Sequence, residues 1–389
     1  MMNSEHMVIA GYAETHITHS SGLSAYQHGG DVLDQLMQST GLPKEAVDGL
    51  SVSASLSEGA NPFFAGYVAE ALGLSCKWLN LSALGGASAL AGVAAAASAI
   101  QAGRARMVLV LSADAPSSKW GADYGAFRAE FQAPIGITSP PASFGLLMSR
   151  YAYEFGDPTD ALASIAVTQR RHALLNNNAC IKLKKPLDKA GYLASKFVAE
   201  PLRILDSVMF CDGANAVLVT TEETAKQYGL DKRINITGYA EMSNPGANQP
   251  LRGITESGFS ELAPRLFAQS GLQPGRIDQL QAYDDFTIAV LLQLEHFGFC
   301  KNGEGRDFVL SHDLSYDGDL PLNTGGGQLS AGQPGLASGG LNLVEAVRQL
   351  FQEGGARQIK SANNALVTGI GMIPYGRSWI TSAAMTLEV

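Results

Sequence analysis

Charge is scarce in this sequence. Only 16% of its 389 residues are Asp, Glu, Lys or Arg, against about a quarter in ordinary globular domains. The balance is acidic, 36 acidic against 27 basic residues, for a net charge of -9. Without a surplus of Lys and Arg the chain lacks the footprint of a nonspecific nucleic-acid surface, although a local cationic patch for a phosphate is compatible with it. Cysteine is also sparse. Cys76, Cys180, Cys211 and Cys300 lie far apart with no CxxC pair, which argues against a zinc knuckle or a thioredoxin-like dithiol. The N-terminal stretch MMNSEHMVIAGYAET has no basic region leading into a long apolar run. No signal peptide is expected there, and the cytoplasm is the expected location. The apolar stretch 83–100 is mostly alanine and is broken by Gly85, Gly86, Ser88 and Ser98, so it is expected as a buried helix rather than a membrane span.

What the chain does have is apolar and small residues: 46% apolar, with 43 glycines. Its length allows two or three domains. HMVIAGYAET reads as a first strand and SAYQHGGDVLDQLMQSTGL as the helix after it. DGLSVSAS and KWLNLSA are further strands, NPFFAGYVAEALGL is helical, and a tight turn at Gly85-Gly86-Ala87-Ser88 opens a helix over 87–102. ARMVLVLSAD is nearly all apolar, as in a sheet covered on both faces. Residues 115–205 are more irregular, with helices at 143–155 and 159–175. CDGANAVLVTTEETAKQYG then restores strand and helix, and RINITGYAEMS echoes HMVIAGYAETH. That echo predicts a duplicated α/β fold with halves 1–232 and 233–389. The second half continues with a helix, turn, strand and helix in FSELAPRLFAQSGLQPGRIDQLQAYDDFTIAVLLQLEHFGF. A last helix leads to a closing strand in NNALVTGIG.

Three stretches carry candidate chemistry. The Gly85–Ser88 turn allows close backbone approach and turns amides towards whatever sits there; tight helix packing is the alternative. Tyr283-Asp284-Asp285-Phe286 follows an apolar strand and opens a helix, the place where α/β folds mount active groups. The alternative there is an Asp cap beside a packed aromatic. The glycine-dense loop 318–340 suits ligand wrapping or wedging between domains, with Asn323 and Gln333 as its hydrogen-bonding side chains. Tyr375 and Arg377, after the closing strand, read equally as structural or functional. His172, His296, Cys211 and Cys300 read as surface or packing residues.

Several segments, in order along the whole chain, resemble the thiolase superfamily, in its branch near the sterol carrier protein thiolases, or lipid-transfer proteins, and the thiolase-like aldolases. GASALAGVAAAASAIQAGRARMVLVLSAD resembles the nucleophile helix and the strand after it. CDGANAVLV resembles the family's DGA segment, YDDFTIAVLLQLEHFGFCKNGEG its HDxF segment, and PLNTGGGQLSAGQPGLASGGLNLVEAVRQL its GHP loop and helix. The resemblance implies a duplicated five-layer α-β-α-β-α fold, normally dimeric. It also aligns Gly86 with the acylated cysteine, Gln333 with the GHP histidine and Tyr283 with the HDxF histidine. The second, acid–base cysteine has no counterpart in NNALVTGIGM.

An acyl-enzyme needs a nucleophile and a base together, so classical thiolysis is not expected. The resembling aldolases cleave β-hydroxyacyl-CoA, as in steroid side-chain degradation, with a tyrosine at the HDxF position. They carry a second tyrosine where this chain has Gln333. By that resemblance Tyr283 is the expected base, Asp284 its orienting group, and Gln333 the residue at the proton-return position. Gly86 would make room for substrate, with Ser88, Asn323 and Gly332 lining it or its oxyanion. Lys182, Lys184 and Lys185 are candidate contacts for the phosphates of coenzyme A, which enters as part of the substrate; no permanent cofactor or metal is expected. A small partner with an OB-fold and zinc ribbon is a further expectation. A noncatalytic subunit of an acyl-CoA complex and an acetyl-CoA acetyltransferase-like enzyme of atypical mechanism are the alternatives.

Overall fold

Met7–Glu14 (β1) is buried along nearly its whole length, as a strand covered on both faces must be. Helix α1 (Ala25–Thr40) begins where Ser24 and Gln27 cap each other's backbone N–H groups. It ends at Gly41, whose φ of 69° suits a residue without a side chain. Strand β2 (Gly49–Ser53), α2 (Phe64–Ala71), β3 (Trp78–Ser82), α3 (Ser88–Gln101) and β4 (Met107–Asp114) follow. Two longer helices, α4 (Pro140–Phe155) and α5 (Thr159–Leu175), cross the irregular region before β5 (Gly213–Thr221) and β6 (Ile234–Ser243). The chain continues through α6 (Phe259–Ser270), β7 (Leu280–Gln281), α7 (Thr287–His296), α8 (Ser338–Leu350), β8 (Asn364–Ile370) and β9 (Thr381–Glu388). This computed structural model describes residues 6–59, 61–121, 128–246, 253–372 and 379–389; Tyr375 and Arg377 lie outside them.

The nine strands form one sheet in the order β3-β2-β4-β5-β1-β6-β9-β8-β7. Outward from β1, the pairings to β5, β4 and β2 are antiparallel, antiparallel and parallel. Outward from β6, the pairings to β9, β8 and β7 repeat that pattern. The sequence echo falls on β1 and β6, the corresponding strands, which meet through only two residue pairs, Val8–Asn235 and Ile9–Ile234. Beyond β7 the place that corresponds to β3 holds a single parallel bridge, Leu280–Leu322. Strand β9 was not expected. TSAAMTLE is built from small and hydroxylated residues with little strand pattern, and its partners β6 and β8 on either side define it.

Five layers result. Val32 and Leu36 of α1 and Phe64 and Val68 of α2 cover one face of the first strand set, against Leu50, Leu109 and Leu218. Leu90 and Val93 of α3 and Val344 and Val347 of α8 fill the centre, against Val110, Val217, Val367 and Met385. Leu262 and Leu266 of α6 and Val290 and Leu291 of α7 close the far side against Leu366 and Ala384. The two central helices approach closely at their starts: a Cβ on Gly339 would lie 2.1 Å from the Gly86 carbonyl oxygen. Among the described residues no helix is long and apolar enough to cross a membrane.

A buried ion network locks α8 in place. Glu345 accepts from Arg348 at 2.6 Å and Arg357 at 2.9 Å, and Arg348 also binds Glu14 of β1 at 2.6 Å. Thr324 donates to the same Glu345 carboxylate at 2.8 Å. Burial alone would raise the Glu345 pKa, but the two guanidinium groups outweigh it and hold it at about 2.

Candidate active site

Strand β3 passes through Gly85, at φ 59°, and one turn of 3-10 helix into α3. Strand β7 continues through Ala282–Phe286 into α7, and the loop after Asn323 brings Gln333 back to the start of α8. These three segments meet in a cavity of about 610 Å³, with Gly86, Tyr283 and Gln333 on its wall. Trp120, Phe144, Phe210 and Phe286 give it an aromatic lining.

The Tyr283 ring lies directly over Gly86. A Cβ built there would sit 2.1 Å from ring atoms Cε2 and Cζ and 2.3 Å from Oη. This corrects the expectation that Gly86 makes room for substrate: the tyrosine takes that room. Its backbone is fixed on both sides, the N–H donating to Thr368 Oγ1 at 2.8 Å and the carbonyl accepting from Gln293 Nε2 at 2.8 Å. Oη lies 3.2 Å from Ser338 Oγ, at the first residue of α8. Burial, followed by the charge of Asp285, pushes the Tyr283 pKa well above the ordinary phenol value; hydrogen bonds from Ser338 and Gln333 oppose this without reversing it. At rest the hydroxyl is a neutral donor.

Asp284 faces the other way. Its carboxylate accepts from the N–H groups of Gln328 and Leu329 at 3.0 and 3.2 Å, so it caps the short helix Gly327–Ala331. Burial raises its pKa to about 7 against the pull of those bonds. The carboxylate that lines the cavity is the next one, Asp285. One of its oxygens, Oδ1, is buried and has no hydrogen-bond partner among the described residues. Burial and then the neighbouring charge of Asp284 push its pKa up to about 8.

The other expected residues shape the site from behind. Ser88 Oγ accepts the Leu84 N–H at 2.9 Å and ties down the turn. Asn323, at φ 46°, donates to the Ala282 carbonyl at 2.9 Å, just before Tyr283. Gly332 packs where a Cβ would meet Cys211 Sγ at 2.8 Å. Gln333 donates through Nε2 to Gln328 Oε1 at 3.2 Å. None of Ser88, Asn323, Gly332, Lys182, Lys184 or Lys185 lines the cavity, and Lys184 is engaged with the Asn176 carbonyl at 3.0 Å. Buried His172 bridges the Asn323 carbonyl and the Tyr316 N–H, and burial lowers its pKa to about 4. Asp285 was missed. Tyr283, Asp285 and Phe286 all line the cavity while Asp284 does not, because the chain bends at Asp285.

Residues 242–380 match the family model for the thiolase C-terminal domain-like fold. A steroid side-chain-cleaving aldolase of Thermomonospora curvata is 30% identical over 387 residues, spanning 94% of this chain and 95% of that protein. The 17-hydroxy-3-oxo-4-pregnene-20-carboxyl-CoA lyase of Mycobacterium tuberculosis is 30% identical over 368 residues, spanning 90% of this chain and 92% of the lyase. The solved Ltp2-ChsH2(DUF35) aldolase superposes with a TM-score of 0.85 at 28% identity, over 100% of this chain and 99% of that one. The Acat5 thiolase of Ascaris suum, at 17% identity and a TM-score of 0.72 over 99% of this chain and 100% of its own, shares the fold. Layering and the likeness to solved structures thus define a thiolase fold. The chain belongs to the thiolase superfamily, in the branch of the thiolase-like aldolases and sterol carrier protein 2 relatives.

Proposed function

We propose that this protein cleaves the bond between the α- and β-carbons of a β-hydroxyacyl-CoA by a retro-aldol reaction, without an acyl-enzyme. The observation that carries this reading is the Tyr283 ring over Gly86: a phenol fills the place where the superfamily mounts a thiol. Gly86 and Gln333 supply neither nucleophile nor base for covalent catalysis, whereas a hydroxyl in a cavity is suited to proton transfer. The relatives named above, an aldolase and a CoA lyase, support the same chemistry. An aromatic-walled cavity of about 610 Å³ fits a bulky apolar acyl group, with coenzyme A bound as part of the substrate. The solved Ltp2-ChsH2(DUF35) aldolase supports a small partner protein.

Tyr283→Phe keeps the ring over Gly86 and removes only the hydroxyl. With 17-hydroxy-3-oxo-4-pregnene-20-carboxyl-CoA, kcat/KM is expected to fall about 10²–10⁴-fold, with little change in thioester affinity. Full activity in the variant would remove Tyr283 from the chemistry. No ketone from the wild type, assayed alone and with a co-expressed DUF35 partner, would end the lyase reading.

The same reading includes a homodimer through the β3 edge. Leu79 and Leu81 on that outermost strand are 44% and 39% exposed, and Phe63, just before α2, and Tyr67 of α2 are 66% and 50% exposed. Such an apolar sheet edge invites a second strand. Light scattering is expected to give twice the 40.9 kDa chain mass, and Leu81→Lys to give monomers; a monomeric wild type would refute the dimer.

A further inference from the structure

A buried carboxylate oxygen without a donor is costly unless something supplies one. Other buried carboxylates on neighbouring segments have theirs. Asp284 is held by two backbone N–H groups. Asp206 accepts from Tyr192 and Thr287 at 2.6 Å each, and Asp114 accepts from the Ser55 hydroxyl and the Leu56, Ser57 and Leu336 amides. Asp285 has the backbone N–H groups of Phe286 and of Asp285 itself beside its carboxylate, its Oδ1 has no partner among the described residues, and Asp285 shares the cavity wall with Tyr283. No lysine or arginine among the described residues lines that wall, so no cation there favours the ionised form of the carboxylate over its raised, protonated one.

We infer that Asp285 is a second catalytic residue of the cavity, the acceptor of the substrate's β-hydroxyl proton, and that Tyr283 supplies the proton to the α-carbon. The inference rests on the retro-aldol reading and divides its proton cycle between two groups. The Asp285 carboxylate takes the hydroxyl proton, and the electron pair of that O–H bond becomes the new C=O bond of the ketone. The Cα–Cβ bond breaks, and its pair passes to the α-carbon and thioester carbonyl as an enolate. Tyr283 Oη gives its proton to the α-carbon, and the phenolate recovers a proton from Asp285. One proton has moved from oxygen to carbon, and no oxidant or reductant is needed.

The electrostatics agree with that division. The neighbouring charge that acts on Asp285 is the Asp284 carboxylate, opposed by the backbone N–H groups of Phe286 and of Asp285 itself. Burial and Asp284 raise the Asp285 pKa to about 8, while Tyr283 is pushed far higher and stays protonated. Two groups whose surroundings separate their pKa values in this way divide into base and acid. A raised carboxyl must lose its proton before it can accept one, so activity should rise with pH through about 8.

The test uses the full chain, with its partner where the two co-purify, and 17-hydroxy-3-oxo-4-pregnene-20-carboxyl-CoA. The wild-type kcat/KM should climb between pH 6 and a plateau above about pH 8. Asp285→Asn should lie at least about 100-fold lower, with the climb gone. A variant that keeps the wild-type rate and profile, or a wild-type rate that falls over this range, overturns the assignment. A binding measurement separates this from the lyase reading. In the Tyr283→Phe background, where turnover is slowed about 10²-fold or more, calorimetry should show the 17-hydroxy thioester binding about tenfold tighter than its 17-deoxy analogue. Asp285→Ala should abolish that preference. If the preference survives Asp285→Ala, the inference fails whatever the activity. If it disappears while the wild type cleaves nothing, the lyase reading fails and the contact of Asp285 with the hydroxyl stands.

Discussion

Placing a cysteine at position 86 should abolish carbon–carbon cleavage and should not restore thiolysis. Any side chain at 86 projects a Cβ to 2.1 Å from the Tyr283 ring, so the ring must swing out of the cradle. Gly86→Ala makes the same demand without a thiol, and both variants should lose about 10²-fold or more in kcat/KM, the usual cost of misplacing a reacting group by about 1 Å. The new thiol would gain nothing. Gln333 cannot take its proton, and burial raises rather than lowers a thiol's pKa, so it would stay protonated and unreactive. Intact-protein mass spectrometry after incubation with acyl-CoA should show no acyl adduct on Gly86→Cys. An Ala variant with wild-type turnover would show that the ring position is irrelevant to the chemistry.

Glu345→Gln should destabilise the fold by about 3–5 kcal/mol, the usual effect of breaking a buried ion pair from one side. The substitution leaves Arg357 without its carboxylate and Arg348 with Glu14 alone, in a place with almost no water. The sign of the pH dependence follows from the depressed pKa of about 2. A glutamate titrating near 4.3 in the unfolded chain binds protons more readily there than in the folded one. Its contribution is complete above the unfolded value and is lost as pH falls towards about 2. Urea unfolding of the wild type should therefore weaken between about pH 5 and pH 2, and Glu345→Gln should show both lower stability at neutral pH and a shallower acid decline. Equal stability of the two proteins at pH 7 would show that the network is not structural.

Much of the scaffold was legible because its period is simple. The apolar run of β4 and the alanine-rich α3 announce a covered strand and a central helix, and the echo of β1 in β6 announces the duplication. Strand β9 was not legible, since its small residues become a strand only between two partners. At the site, family resemblance aligned Gly86, Tyr283 and Gln333, and the fold brings these three to one cavity wall. It did not reveal that the Tyr283 ring occupies the space over Gly86, which depends on backbone anchors contributed by Thr368 and Gln293. The choice of Asp284 follows the family's motif, whereas a bend in the chain at Asp285 decides that this carboxylate is the one on the cavity wall. Lys182, Lys184 and Lys185 were grouped by charge in sequence, and sequence proximity did not bring them to the cavity.

The central claim is that a cavity built around Tyr283 breaks a carbon–carbon bond without covalent attachment of the acyl group. One mass-spectrometric experiment tests it directly: the purified protein, with its partner where present, is mixed with 17-hydroxy-3-oxo-4-pregnene-20-carboxyl-CoA. Small-molecule products and intact protein are then read from the same sample. Ketone and shortened acyl-CoA are expected in equal amounts, with the protein mass unchanged at every time point. A protein carrying the mass of an acyl group, or thioester consumed without ketone, would contradict the claim.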